Sequence, residues 1–157
     1  IEWLPKNIPS DQETSIVHGD FRLDNMIFDP ITHEVKAILD WELSTLGNPI
    51  ADFTYHMMSW RLPAGAKGLG MMGSDLKSLN IPSESEYAEL YYKKTGREKI
   101  DNWDFYMAYN IFRLAGIAQG IVGRVRDGTA SSSEAKNYEA FVPILGKLGW
   151  SIVEGIN

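Results

Sequence analysis

The chain contains no cysteine, no long apolar run and no excess of basic residues. With 0 cysteines in 157 residues, it can form neither disulfides nor thiolate metal sites, and we expect a cytoplasmic location. No apolar stretch approaches the roughly 20 residues of a membrane-spanning helix. The net charge of −6 and the pI of about 5.0 disfavour a nucleic-acid-binding face or an anionic membrane surface. We therefore expect neither nucleic acid nor membrane as a partner.

The size and composition suit one folded domain. A hydrophobic fraction of 44% is enough for a core, and residues 1–157 are interpreted as a single domain. The chain starts at Ile1, with neither an initiator methionine nor a signal peptide. We therefore expect it to be cut from a longer protein, and the sequence leaves the oligomeric state open.

Hydrophobic patterns in the first half predict a small β centre. A strand is expected at residues 15–18, and residues 26–29 and 34–39 are expected to form a hairpin that turns at Asp29 and Pro30. Residues 45–49 are expected to form a second turn. A helix is predicted from Pro49 to about residue 61, with Asn48 as its N-cap.

The second half is predicted to be helical. Ser83 and Glu86 form a capping box before a helix that Gly96 ends. A long helix over 103–126 carries apolar residues on most of its surface, which is typical of a central buried helix. A last helix is predicted from 131–133 to about 153. The fold class is thus α+β, mainly α, with a small β-hairpin centre and about four helices.

A segment rich in glycine and methionine, residues 62–80, is predicted to be the long loop of the chain. Long loops in compact domains are often lids or mobile segments. Gly68 to Gly73 fits the pattern G-x-G-x-x-G, but no predicted strand precedes it. We therefore reject a dinucleotide site here and favour a mobile flap near the substrate.

Three polar residues lie where the first predicted strands and turns end. Asp20 and Asn25 are separated by four residues, and Asp40 lies fifteen residues beyond Asn25. Phosphoryl transfer from ATP needs a carboxylate that accepts the acceptor's proton and oxygen ligands that hold Mg²⁺ on the phosphates. Asp-x-x-x-x-Asn followed by a strand-terminal Asp supplies them in the order of a kinase catalytic loop. We predict Asp20 as the catalytic base, and Asn25 and Asp40 as the Mg²⁺ ligands.

Two motifs around these residues, His18 to Asn25 and Ile38 to Glu42, resemble the signatures of the aminoglycoside phosphotransferase and choline kinase-like family. With Leu39 to Gly47 included, they most resemble the kinase-like domains associated with acyl-CoA dehydrogenases. Residues 102–106 and 115–120 also resemble that branch. The resemblance implies a protein kinase-like fold, of which this chain is the C-terminal lobe, and Mg²⁺- and ATP-dependent phosphorylation of a small-molecule hydroxyl.

For this branch the resemblance points to a hydroxyacyl-CoA of the 4-hydroxyacyl type, because phosphorylation turns a poor leaving hydroxyl into a good one. An aminoglycoside, choline or a sugar is an alternative acceptor. A pseudokinase-like binding module and a metal-dependent hydrolase are alternatives from other classes. Family members carry an N-terminal ATP-binding lobe, but only fifteen residues precede Ile16. We expect the chain alone to be inactive and to need the missing N-terminal lobe as its partner.

Four further residues are predicted to support the site. His18 suits a buried imidazole that hydrogen-bonds backbone better than it suits a general base. Arg22 either meets a phosphate or an acidic substrate group, or pairs with a neighbouring carboxylate. Glu42 either supports the metal behind its ligands or caps the next turn. Asp52, early in a helix, suits the helix dipole, and in the resembled family an Asp so placed holds the catalytic loop.

The sequence assigns no substrate-binding residue. The three histidines, His18, His33 and His56, lack the spacing of zinc ligands. We therefore expect no zinc site.

Overall fold

The structure is a computed structural model that describes residues 1–10, 13–65 and 70–155. The chain divides into two compact units. One consists of Ile1–Ser10 with Asn102–Asn157, and the other of Asp11–Asp101. The predicted site residues all belong to the second unit.

Two small antiparallel sheets form the start of the second unit. Strand β1 (Ser15–Val17) pairs with β4 (Thr45–Gly47), so that Ile16 faces Leu46 across the ladder. Strand β2 (Met26–Phe28) pairs with β3 (Val35–Ile38) in the predicted hairpin. The turn predicted at residues 45–49 is therefore wrong at its start, because residues 45–47 gain backbone partners from β1. A three-residue strand is too short to show its period in the sequence.

The hairpin turn is stabilised by its own aspartate, as the Asp-Pro pair predicted. Asp29 Oδ1 accepts hydrogen bonds from the backbone N–H groups of Ile31 and Thr32, both at 2.9 Å. These bonds from Thr32 and Ile31 hold the pKa of Asp29 below its ordinary value. An Asx turn of this kind is local, and the sequence alone therefore locates it.

Helices α2 (Pro49–Arg61) and α3 (Glu84–Thr95) begin and end close to the predicted positions. Asn48 Oδ1 accepts a hydrogen bond from Ile50 N at 2.8 Å, and proline occupies the first turn. Before α3, Ser83 and Glu86 exchange both bonds of a capping box, and Gly96 ends the helix at φ 68°. The two N-caps and the glycine C-cap are confirmed.

The described parts of the loop at 62–80 are tied to the end of α2. Met71 N donates to Ser59 O at 2.7 Å, and Met72 N donates to Leu62 O at 3.0 Å. A Cβ atom at Gly70 would lie 2.2 Å from the carbonyl oxygens of residues 62 and 63, so only glycine fits there. The G-x-G-x-x-G motif follows a helix instead of a strand. Of the flap predicted for Gly68 to Gly73, residues 68 and 69 lie outside the described residues.

The first unit is helical. It contains the short helix α1 (Trp3–Lys6), the long helix α4 (Trp103–Arg126) and α5 (Tyr138–Val153), with α4 packed along α5. The prediction that α4 is buried over most of its surface is wrong. Its buried residues lie mainly in its first half, and Phe112 and Ile117 are each 45% exposed.

The last helix also begins later than predicted. Residues Ser133–Asn137 form a 3₁₀ helix, and α5 starts at Tyr138 with Pro143 inside it. Proline lacks the N–H that an interior turn needs, but the helix continues through it. Among the helices of the described ranges, none combines the length and apolar character needed to cross a bilayer.

Candidate active site

The structure brings Asp20 and Asn25 together. Asn25 Nδ2 donates to the backbone oxygen of Asp20 at 2.9 Å and to its Oδ2 at 3.1 Å. The 3₁₀ helix Leu23–Asn25 shortens the intervening loop enough to allow both bonds. Because the amide N–H groups are used in this way, Oδ1 of Asn25 is the atom left for another ligand.

A tyrosine that the sequence analysis did not single out completes the surroundings of Asp20. Tyr55 Oη donates a hydrogen bond to Asp20 Oδ1 at 2.8 Å, from a residue only 9% exposed. Residues 52 and 55 are one helical turn apart and therefore share a face of α2. That spacing from Asp52 is the signal that would have pointed to Tyr55.

Asp52 holds the backbone just before Asp20. Its Oδ2 accepts from His18 N and its Oδ1 from Gly19 N, both at 2.8 Å. Gly19 has φ +82°, and a Cβ there would lie 2.6 Å from Leu43 O, so a side chain would be both strained and in collision. The turn that points Asp20 into the site therefore requires glycine at position 19.

His18 connects the loop of Asp20 to the strand that precedes Asp40. The imidazole is 3% exposed, with Nε2 lying 2.8 Å from Leu39 O and Nδ1 accepting from Asp20 N at 3.2 Å. A carbonyl can only accept, so we assign the proton to Nε2. Both ring nitrogens are thus occupied by backbone groups.

Asp40 lies two residues after the end of β3, beside the Asn25 segment. Leu39 N donates to Asn25 O at 2.8 Å, which links the two stretches of chain that carry the predicted ligands. Asp40 adopts φ 64°, a left-handed conformation in which aspartate is enriched. Within the described ranges, no hydrogen bond or ion pair engages the Asp40 carboxylate or Asn25 Oδ1.

This pair of oxygen donors fits Mg²⁺ in its chemistry. Mg²⁺ is usually held by one or two protein oxygens, with phosphate and water oxygens completing its shell. In the part of the chain that the structure describes, no group of three or more His, Cys, Asp or Glu side chains is placed to hold a metal. An amide and a single carboxylate sharing a metal with a triphosphate would not form such a group.

The remaining predicted residues, Arg22 and Glu42, make no hydrogen bond to Asp20 among the described residues. Arg22 pairs with Asp24, with its Nε 2.9 Å from Asp24 Oδ2. Burial by itself would lower the pKa of Arg22, but the hydrogen bond and charge of Asp24 raise it above its ordinary value. Glu42 is exposed in the 3₁₀ helix Trp41–Leu43 and makes no hydrogen bond or ion pair with other described residues.

Partly buried aromatic rings flank the loop on the side of α2 and α3. The ring centroid of His56 lies 5.7 Å from that of Phe21, 5.9 Å from Trp60 and 5.6 Å from Tyr87. Neither ring nitrogen of His56 has a hydrogen-bond partner among the described residues. Burial of the imidazole, which disfavours its charged form, lowers the pKa of His56 below its ordinary value.

Because the pKa of His56 is lower in the folded than in the unfolded chain, the unfolded chain binds a proton first as the pH falls. We expect the contribution of His56 to stability to be complete above the unfolded pKa, near pH 6.5, and to decline as the pH falls towards the folded value. The free energy of unfolding, measured from about pH 8 down to about pH 5, should decrease less steeply with falling pH in His56→Gln than in wild type. His33→Asn, in the exposed hairpin turn, is the control, and equal slopes in all three proteins would contradict the assignment.

Comparison with known proteins gives consistent matches. The model of the family described as "Phosphotransferase enzyme family" matches residues 1–90. Acyl-CoA dehydrogenase family member 10 of Mus musculus is 46% identical over 151 residues, which cover 96% of this chain and 14% of that protein. Acyl-CoA dehydrogenase family member 11 of Homo sapiens is 39% identical over 150 residues, covering 94% of this chain and 19% of that protein.

A solved structure shares the fold. A crystal structure from Ralstonia eutropha JMP134, assigned as an aminoglycoside phosphotransferase, superposes with a TM-score of 0.92 at 47% sequence identity. The match covers 98% of this chain and 47% of that one. The mainly helical architecture with two small antiparallel sheets is therefore a kinase-like fold, and the chain spans less than half of this solved relative.

Proposed function

The chain belongs to the phosphotransferase enzyme family, and on that premise we propose that it is the C-terminal, catalytic-loop lobe of an ATP- and Mg²⁺-dependent kinase for a small-molecule hydroxyl group. The observation that carries the proposal is the Asp20 carboxylate, whose two oxygens are held by Tyr55 and Asn25. A carboxylate fixed in this way can receive a proton in a defined direction.

Asp20 acts as the base in the proposed reaction. The acceptor's hydroxyl oxygen forms a bond to the γ-phosphorus of ATP, the bond from that phosphorus to the bridging oxygen of ADP breaks, and the hydroxyl proton passes to Asp20. His18 and Asp52 keep the loop in place through backbone hydrogen bonds. Most of the rate enhancement then comes from positioning and from neutralised charge.

Asn25 Oδ1 and Asp40 are the proposed ligands of Mg²⁺. Bound there, the ion neutralises negative charge on the triphosphate. Support comes from Asn25 Oδ1 and the Asp40 carboxylate, which no described residue engages, and from the backbone bond between Leu39 N and Asn25 O that joins their segments. Glu42 and Arg22 have no assigned part in this step.

Asp40→Asn tests the metal site without relying on turnover. In the full-length protein, we expect the affinity for Mn²⁺ in the presence of ATP, measured by electron paramagnetic resonance, to fall at least about 10-fold, because a charged ligand is lost. Asp127→Asn makes the same chemical change after α4 and should leave the affinity as in wild type. Equal affinities in both variants would rule out Asp40 as a ligand.

The lobe that covers the nucleotide is proposed to come from the rest of a longer protein. Large apolar side chains are exposed around the loop segments that carry Asn25 and Asp40: Leu23 is 63% exposed, Trp41 47% and Leu43 53%. Burying such surface against another lobe is favourable by roughly 25 cal/mol per Å². We expect this chain alone to bind nucleotide weakly and to be inactive.

The proposed acceptor is a hydroxyacyl-CoA of the 4-hydroxyacyl type. Support comes from the relatives, which are acyl-CoA dehydrogenase family members by name. Phosphorylation would activate a hydroxyl for elimination, which is a step that suits acyl-chain breakdown. The name of the solved relative and the net charge of −6 favour an aminoglycoside as the second candidate.

The deciding experiment offers full-length protein with Mg·ATP a panel of 4-hydroxyacyl-CoAs, an aminoglycoside, choline and a sugar. Phosphorylated products are followed by mass spectrometry, with Asp20→Ala as the control. Transfer to the hydroxyacyl-CoA alone, lost in the variant, would establish both the reaction and the acceptor class. Phosphate release without an acceptor would indicate a hydrolase, and absence of Mg·ATP binding would indicate a pseudokinase.

A further inference from the structure

The hydroxyl of Tyr55 holds the oxygen of Asp20 that Asn25 leaves free. Tyr55 Oη lies 2.8 Å from Oδ1, while Asn25 Nδ2 lies 3.1 Å from Oδ2. One donor would leave the carboxylate able to turn about its Cβ–Cγ bond. Two donors on opposite oxygens fix its plane, so the loop and helix α2 set its orientation jointly.

The buried side of α2 keeps the Tyr55 ring in place. Tyr55 is 9% exposed, and Met58, one turn further along the same face of the helix, is buried as well. Its hydroxyl therefore cannot follow a shifting Asp20 as an exposed side chain would. One turn earlier, Asp52 accepts the N–H groups of the two residues before Asp20. Helix α2 thus anchors both the backbone before Asp20 and the carboxylate itself.

We propose that Tyr55 is a positioning residue for phosphoryl transfer, a role that rests on the proposed function of Asp20 as the base. The two donors leave only the remaining lone pairs of Asp20 for the acceptor hydroxyl, which restricts its direction of approach. Without the Tyr55 hydroxyl, the carboxylate is held at Oδ2 alone. It is then free to turn about its Cβ–Cγ bond, and fewer of its orientations suit the transfer of the acceptor's proton.

The test is Tyr55→Phe in the full-length protein. We expect kcat to fall roughly 10- to 100-fold. KM for ATP and the Kd of Mg·ATP should stay as in wild type, because Tyr55 hydrogen-bonds the proposed base Asp20 and, among the described residues, not the proposed metal ligands Asn25 and Asp40. A purely structural tyrosine would not produce this split. Tyr109→Phe removes the same hydroxyl from the exposed face of α4 and should behave as wild type.

The dependence on Asp20 is tested by adding Tyr55→Phe to an Asp20→Asn background. If the hydroxyl acts through Asp20, the second substitution lowers kcat no further. An unchanged kcat in Tyr55→Phe alone, or a loss of the same size in both backgrounds, would overturn the proposal.

Failure of the proposed function is recognised separately, because wild type would then transfer no phosphoryl group to any acceptor. Tyr55 is in that case judged by carbon-13 NMR of protein labelled at the aspartate carboxyl carbons. The Asp20 resonance, assigned by its loss in Asp20→Asn, should move in Tyr55→Phe and stay in place in Tyr109→Phe. A change in the chemical shift would confirm that Tyr55 hydrogen-bonds the Asp20 carboxylate, and an unchanged shift would contradict it.

Discussion

Replacing Asp20 with asparagine is expected to lower kcat of the full-length protein by roughly 10²- to 10⁴-fold, the usual contribution of a positioned acid or base. The substitution keeps the size of the side chain and an oxygen that can accept from Tyr55. It removes the carboxylate that Tyr55 and Asn25 hold in place, and with it the group proposed to take the acceptor's proton. Mg·ATP binding should persist, because the proposed metal ligands are Asn25 and Asp40.

The matched control for this prediction is Asp24→Asn, four residues along the same loop. Asp24 pairs with Arg22 at the surface, with 68% of its side chain exposed, and its replacement should leave kcat close to wild type. Steady-state kinetics and calorimetric titration with Mg·ATP separate the rate from the affinity. Asp20→Asn that turns over at the wild-type rate would exclude Asp20 as the base.

Asp52→Ala is expected to loosen the whole turn before Asp20. The carboxylate accepts two backbone N–H groups at 2.8 Å, from His18 and Gly19. Hydrogen bonds to a charged group are each worth about 1.5–3 kcal/mol, so losing both should destabilise the turn locally by about 3 kcal/mol. Amide hydrogen exchange at residues 18 and 19, followed by mass spectrometry in the full-length protein, should accelerate on the order of 100-fold.

Two variants distinguish this role from a general effect of charge at a helix N-terminus. Asp52→Asn keeps one carbonyl acceptor and should give an intermediate rate of exchange. Asp104→Ala removes a carboxylate from the first turn of α4 and should leave exchange at residues 18 and 19 as in wild type. Exchange at the wild-type rate in Asp52→Ala would show that the two bonds do not hold the turn.

The features that the sequence predicted well are those whose partners are close in the chain. The cap of Asn48 on α2, the box of Ser83 with Glu86 and the turn at Asp29 each join atoms within three residues of one another. The hydrogen-bonding groups that form each feature are therefore visible in a short stretch of sequence. The spacing of Asp20, Asn25 and Asp40 is likewise a property of the sequence, and the roles predicted for these residues stay predictions.

The features that the sequence predicted poorly depend on partners far along the chain. Strand β4 exists because Thr45 to Gly47 pairs with Ser15 to Val17, about thirty residues earlier. Glycine followed by asparagine and proline is typical of a turn, and nothing local indicates the ladder. The exposed face of α4 was missed for a similar reason, because apolar residues at a helical period do not show which neighbours cover them.

The sequence by itself determined the bounds of α2 and α3, their caps, and the spacing of the residues proposed for phosphoryl transfer, because spacing and local hydrogen bonding are properties of neighbouring residues. Only the tertiary structure decided how the carboxylate of Asp20 is held. Tyr55 lies 35 residues away and Asp52 lies 34 residues from His18, and packing of α2 beside β1 brings them to the loop. A hydrogen bond over such a separation forms only when the intervening chain has folded. It therefore cannot be predicted from the pattern of adjacent residues.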